Sequence, residues 1–110
     1  MSLRELYEAL CASLGQIAPV SAQLDLEPET PREYIVVSIS DGPGEGGDDG
    51  DGCRVASVTV YYVCPLLTDP IDKRAAVRGV CEEVADTLVR ETDQSGYVQC
   101  WVFSFSRVLG

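Results

Sequence analysis

The chain has 110 residues, 45% of them hydrophobic and 24% charged. That is the size of one domain and apolar enough to bury a real core, which excludes a second independent core and a disordered chain. Eight basic residues against eighteen acidic ones leave a net charge of −10, so bulk electrostatics repel a phosphate backbone and disfavour direct, sequence-specific nucleic-acid binding. Histidine is absent, which removes imidazole bases, Ser-His and Cys-His nucleophile pairs and most catalytic zinc sites.

At the N-terminus, Ser2-Leu3-Arg4-Glu5 reads as a capping box, and a helix is expected to begin at Leu3. Leu3, Leu6, Tyr7, Leu10 and Leu14 recur at helical spacing as its buried stripe, and Gly15 supplies the stop. Residues 17–33 are punctuated by Pro19, Pro28 and Pro31. Val20, Ala22, Leu24 and Leu26 nonetheless alternate with polar partners, which predicts a short edge strand.

Residues 34–40, Tyr-Ile-Val-Val-Ser-Ile-Ser, are β-branched and dense enough for a strand covered at least partly on both sides. Residues 41–52 then carry six glycines, five carboxylates and no apolar side chain other than proline. With strand-like sequence on either side, they read as a mobile acidic hairpin tip, whose closure cost grows only slowly with length. In 53–64, Ala56, Val58, Val60 and Tyr62 fall on one strand face. Val55, Ser57, Thr59, Tyr61 and Val63 fall on the other, half-polar face.

Thr68-Asp69-Pro70 places a capping acceptor before a proline at the first helical position, with Asp72 adding favourable charge to that turn. A second helix is expected to run from there to about Thr92. Val77, Val80, Cys81, Val84 and Leu88 form its buried stripe, with Arg78, Glu82, Asp86 and Arg90 opposite. Gly79 beside that stripe predicts a close approach to the sheet. Residues 97–109 alternate as a last strand, with Tyr97, Trp101, Phe103 and Phe105 on one side. The predicted fold is therefore a single α+β domain over 1–110. Its antiparallel or mixed sheet of about four strands carries two helices on one face, and a split βαβ crossover is an available route for the last strand.

Little in this pattern carries chemistry, and no catalytic, cofactor-binding or metal residue is assigned. Asp48, Asp49 and Asp51 invite a calcium reading, but the spacing to a following glutamate that an EF-hand loop needs is missing. Glu82, Glu83 and Asp86 lie among arginines on a polar helix face and read as a salt-bridged surface rather than an acid-base pair. The cysteines, at 11, 53, 64, 81 and 100, are odd in number and lack C-x-x-C spacing. They read as reduced thiols of a cytosolic product, with Cys11 the one most open to reaction. No secretory h-region is visible and no apolar run approaches the ~20 residues that span a bilayer, so neither export nor insertion is expected. The strand aromatics exceed what two helices cover, which fits either ordinary core or a subunit contact.

Several segments together resemble the tail terminator, or tail completion, proteins of long-tailed bacteriophages. They are the N-terminal amphipathic helix, the Pro-Arg-Glu-Tyr-Ile-Val-Val opening, the Gly/Asp-rich tip, Arg-Val-Ala-Ser-Val-Thr-Val-Tyr, Asp-Lys-Arg-Ala-Ala-Val-Arg-Gly-Val-Cys and the closing aromatic strand. The likeness is one of order, length and pattern over nearly the whole chain. It implies a structural subunit of the virion, assembled in the bacterial cytoplasm as a homo-oligomeric, hexameric ring that caps the tail tube and joins it to head-connector proteins. It implies no enzyme activity, no cofactor and no membrane partner. By the same resemblance Tyr61, Tyr97 and Trp101 are candidates for subunit contacts. The loop carrying Asp41, Glu45, Asp48, Asp49 and Asp51 is then a candidate to face the channel or a partner ring. The chain departs from the family pattern in its cysteine count and its acidic tip. The alternative from composition alone is an acidic DNA mimic that blocks a nucleic-acid-binding protein, although mimicry calls for a regular carboxylate array rather than one clustered loop.

Overall fold

A computed structural model describes residues 2–43 and 54–109. In chain order the elements are α1 (Leu3–Leu14), β1 (Tyr34–Pro43), β2 (Arg54–Cys64), α2 (Ile71–Val84), β3 (Arg90–Asp93) and β4 (Gln99–Val108). The strands form one antiparallel sheet in the order β1-β2-β4-β3, an α+β fold. Because β4 lies between β2 and β3, the unit β2-α2-β3 is a split βαβ with β4 inserted as its middle strand.

Local chemistry sets α1. Ser2 Oγ accepts from the Glu5 N–H at 3.1 Å and Glu5 Oε1 accepts from the Ser2 N–H at 3.3 Å, closing the capping box. Leu6, Leu10 and Leu14 are buried, whereas Tyr7 remains 40% exposed. At the other end the Gly15 N–H donates to Cys11 O while its φ of −62° stays right-handed. Glycine is needed there because a Cβ would sit 2.9 Å from Cys11 O, a close approach rather than a left-handed turn.

Both helices lie on the face that displays Ile35, Val37, Val58, Val60, Tyr62 and Phe103, where the main core gathers with Leu6, Leu10, Leu14, Val77 and Cys81. On the opposite face a smaller cluster of Tyr34, Val36, Val63, Val98, Cys100 and Val102 is roofed by Leu26 and Tyr61. The tyrosine hydroxyl of Tyr34 both receives from the Asp25 N–H and donates to Asp25 O at 2.9 Å, which ties the 17–33 segment over this cluster.

Four expectations need correction. Residues 17–33 make no strand. Only Val20 forms a parallel bridge to Ile35, through Ile35 N–H to Pro19 O and Ser21 N–H to Ile35 O, in a segment whose prolines cannot donate to a ladder. The second helix stops at Val84, eight residues before Thr92: Ala85 turns extended (ψ 135°), Val89 is buried, Leu88 stands 79% exposed and Arg90–Asp93 is an edge strand. Pro70 precedes that helix instead of opening it, and no side chain caps from its position. The Asp69 carboxylate still accepts the Ile71 N–H at 3.1 Å. Finally, a Cβ at Gly79 would meet nothing within 4 Å, so no close helix–sheet approach depends on it.

The β1–β2 hairpin forms as expected, in register from Tyr34↔Val63 to Pro43↔Arg54. Asp41 belongs to β1, opposite Ala56, rather than to a loop. The candidate loop residues Glu45, Asp48, Asp49 and Asp51 lie outside the described residues.

Candidate interaction surfaces

The three aromatic interface candidates do not form one patch. Tyr61 is half-buried in the smaller cluster, on the sheet face away from the helices. Trp101 lies on the helix face, partly buried beneath the Arg74 guanidinium, whose carbon is 3.5 Å from the ring centroid. Tyr97 precedes β4 and is 73% exposed.

Two anionic nodes that pattern reading missed dock α2 onto the sheet. Glu33 accepts from the buried Tyr62 hydroxyl at 2.6 Å and from Lys73 Nζ at 2.5 Å. Partial burial works against its charge, yet the Lys73 and Tyr62 hydrogen bonds outweigh it and hold the carboxyl below its usual range. Burial, reinforced by the hydrogen bond to the same carboxylate, pushes the Tyr62 phenol well up. Glu91 on β3 receives Arg74 on one oxygen and Arg78 at 3.0 Å on the other. Burial again opposes its charge and the two guanidiniums prevail, so its titration also lies low. Each node joins elements distant in sequence, and hence no local spacing announces it.

The described thiols are packed in or against the core, Cys64 beside the Tyr62 hydroxyl of the Glu33 node. Cys64, Cys81 and Cys100 are buried and Cys11 is half-buried, all four free. Burial pushes the Cys81 thiol up to about 12 and raises those of Cys64 and Cys100, which suppresses thiolate chemistry.

Backbone direction shows where the sheet can grow. In β1 the Ile35 N–H and C=O point away from β2 toward Pro19 and Ser21. By strand alternation the N–H and C=O of Val37 and Ile39 point outward too, and among the described residues nothing meets them. Beside this edge a groove of about 570 Å³ is lined by Leu3, Arg4, Tyr7, Val37, Ser38 and Ile39. At the opposite edge the Gln94 N–H donates to Cys100 O, which sets the hydrogen-bonded pairs of β3 with β4 at Thr92↔Val102 and Arg90↔Ser104. The peptide groups of Glu91 and Asp93 therefore face outward. A smaller groove of about 290 Å³, lined by Ile71, Arg74, Ala75, Arg78 and Glu91, runs beside that edge.

The remaining edge, along the second half of β4, is sealed from within the chain. Asp86 N–H donates to Ser106 O at 2.9 Å, Thr87 Oγ1 accepts from Ser106 N–H at 2.8 Å, and Asp86 Oδ2 accepts from Val108 N–H at 2.7 Å. A further surface is the uncovered part of the sheet face away from the helices, where the register aligns Ser38, Thr59 and Ser104 in one row and Ser40, Ser57 and Ser106 in the next.

Compared with known proteins, the chain matches no protein-family model and no curated protein.

Proposed function

We propose that this chain is a structural subunit of a bacteriophage tail, a tail terminator that assembles head to tail into a closed ring at the end of the tail tube. The observation that carries the reading is the pair of unlike sheet edges, each with outward peptide groups and a groove beside it. Closed rings are built from heterologous contacts, in which two different patches of one subunit meet. A chain with two such patches at opposite ends of one sheet fits that requirement. The shifted carboxyls support it from another side. Glu33 and Glu91 are engaged in holding α2 to the sheet, which is packing rather than acid-base work. In such a ring the carboxylates at 41, 45, 48, 49 and 51 are candidates to face either the channel, where negative charge repels passing DNA, or a partner ring.

The test is the mass of the purified chain by light scattering over a concentration series at low and high salt. Discrete assembly toward about six chains supports the reading. A monomer in solution that also fails to cap isolated tail tubes in electron micrographs ends it.

A further inference from the structure

We infer that the ring junction is a β-sheet junction, in which the open edge of β1 pairs antiparallel with the β3 edge of a second copy of this chain. The inference rests on the ring reading and names the contact within it. Strand direction comes first. The order β1-β2-β4-β3 is antiparallel at every step, so β1 and β3 run in opposite directions. Two copies in the same orientation, placed edge to edge, therefore make an antiparallel β1–β3 pair without inverting either one. Repeated around an axis, this is the heterologous contact a ring needs.

Register comes second. Ile35 is already occupied by Pro19 and Ser21, so the outward positions of β1 that no other described residue meets begin at Val37 and continue at Ile39. Those of β3 are Glu91 and Asp93. They match as Val37 with Asp93 and Ile39 with Glu91, with both peptide groups of each pair bonded. Ser38 and Thr92 then form the intervening non-hydrogen-bonded pair, where side chains approach closest.

The helix layer agrees. Both helices lie on the same sheet face, so the junction sets the exposed Tyr7 and half-buried Leu3 of one copy against the exposed Ile71 and Ala75 of the next. Charge agrees as well: Arg4, on the groove beside Val37, comes to face the exposed Asp93 carboxylate of the neighbour. β1 lacks the charges and bulges by which solvent-facing edges are usually blunted over this stretch, which is the signature of an edge meant to be paired.

The experiment is disulfide trapping in a Cys11→Ser/Cys53→Ser background. Ser38→Cys and Thr92→Cys, both at exposed positions, are made separately and together. Non-hydrogen-bonded pairs lie about 4.5 Å apart between Cα atoms, within disulfide reach. Under mild oxidation a mixture of the single variants should give a covalent dimer, each alone should give none, and the double variant should give a ladder ending at the ring number. Self-linking of Ser38→Cys alone would overturn the proposal in favour of a two-fold β1–β1 pair. No link in a sample that light scattering shows to be assembled overturns the junction and leaves the ring standing. A chain that is monomeric at every concentration and also fails to cap isolated tail tubes overturns both.

Discussion

The Arg74 guanidinium stacks on the Trp101 ring at 3.5 Å while bonding the Glu91 carboxylate, so a single side chain ties α2 to β4 and β3 together. The planar fork makes both contacts possible: its edge donates to the carboxylate and its face covers the indole. Arg74→Lys should therefore behave as a loss rather than a conservative change. We expect Arg74→Ala to destabilise the fold by about 1–3 kcal/mol in urea unfolding, and Arg74→Lys to recover less than half of that. Trp101 is the sole tryptophan and reports directly. Its emission should change in both variants, whereas the Arg4→Lys control, at an exposed helix position, should leave it unmoved.

Acid should loosen the docking of α2. Glu33 and Glu91 are both held below the ordinary carboxylate range in the folded chain and titrate near the ordinary value of about 4.3 when unfolded. A depressed folded pKa contributes stability that is present above the unfolded value and is lost as pH falls through the folded one. The urea midpoint should accordingly fall as pH drops from about 5 toward 3. Glu33→Gln and Glu91→Gln should each be less stable than the parent at pH 7, with the gap closing toward pH 3. A gap independent of pH would mean these carboxylates act by shape rather than by charge.

What was legible in the sequence follows how local each cause is. The capping box at Ser2 and Glu5 and the Leu6-Leu10-Leu14 stripe are encoded within one helix, a dense β-branched run marks β1, and period-two alternation marks β2 and β4. β3 was hidden because Arg90-Glu91-Thr92-Asp93 contains no apolar residue, and because Asp86 and Arg90 continue the four-residue charge spacing of α2. What overrides that pattern is distant: Ser106 and Val108 of β4 recruit Asp86 and Thr87, pulling the chain out of the helix. The sheet edges were equally unreadable. Which strand is left open depends on strand order, and that order is set by pairing between segments far apart in sequence.

Thiol labelling should separate the cysteines by burial. Cys64, Cys81 and Cys100 are buried with raised thiol pKa values, Cys81 to about 12. In a Cys53→Ser variant at pH 8, maleimide should modify Cys11 alone until denaturant is added, after which all four react. Mass spectrometry of the digested protein reads the sites. Early modification of Cys81 would show that α2 lifts from the sheet well below the global unfolding energy.

The loop between β2 and α2 offers the last contrast, between what holds a segment and what that segment displays. Gln99 Nε2 lies 3.0 Å from Pro65 O, 3.2 Å from Leu66 O and 2.6 Å from Thr68 O, so one amide gathers three carbonyls that would otherwise need water. The loop so fixed presents Leu66 and Leu67 to solvent, the latter fully exposed. Gln99→Ala should lower stability by about 1–2 kcal/mol and speed proteolysis between Pro65 and Thr68, because the carbonyls lose their shared donor. Leu67→Ala should change monomer stability by less than about 0.5 kcal/mol, since it removes nothing buried. Leu10→Ala, in the core beneath α1, should cost about 2–5 kcal/mol. If Leu67→Ala instead weakens assembly in light scattering while unfolding normally, the pinned loop is a contact surface between chains, and Gln99→Ala should weaken assembly with it.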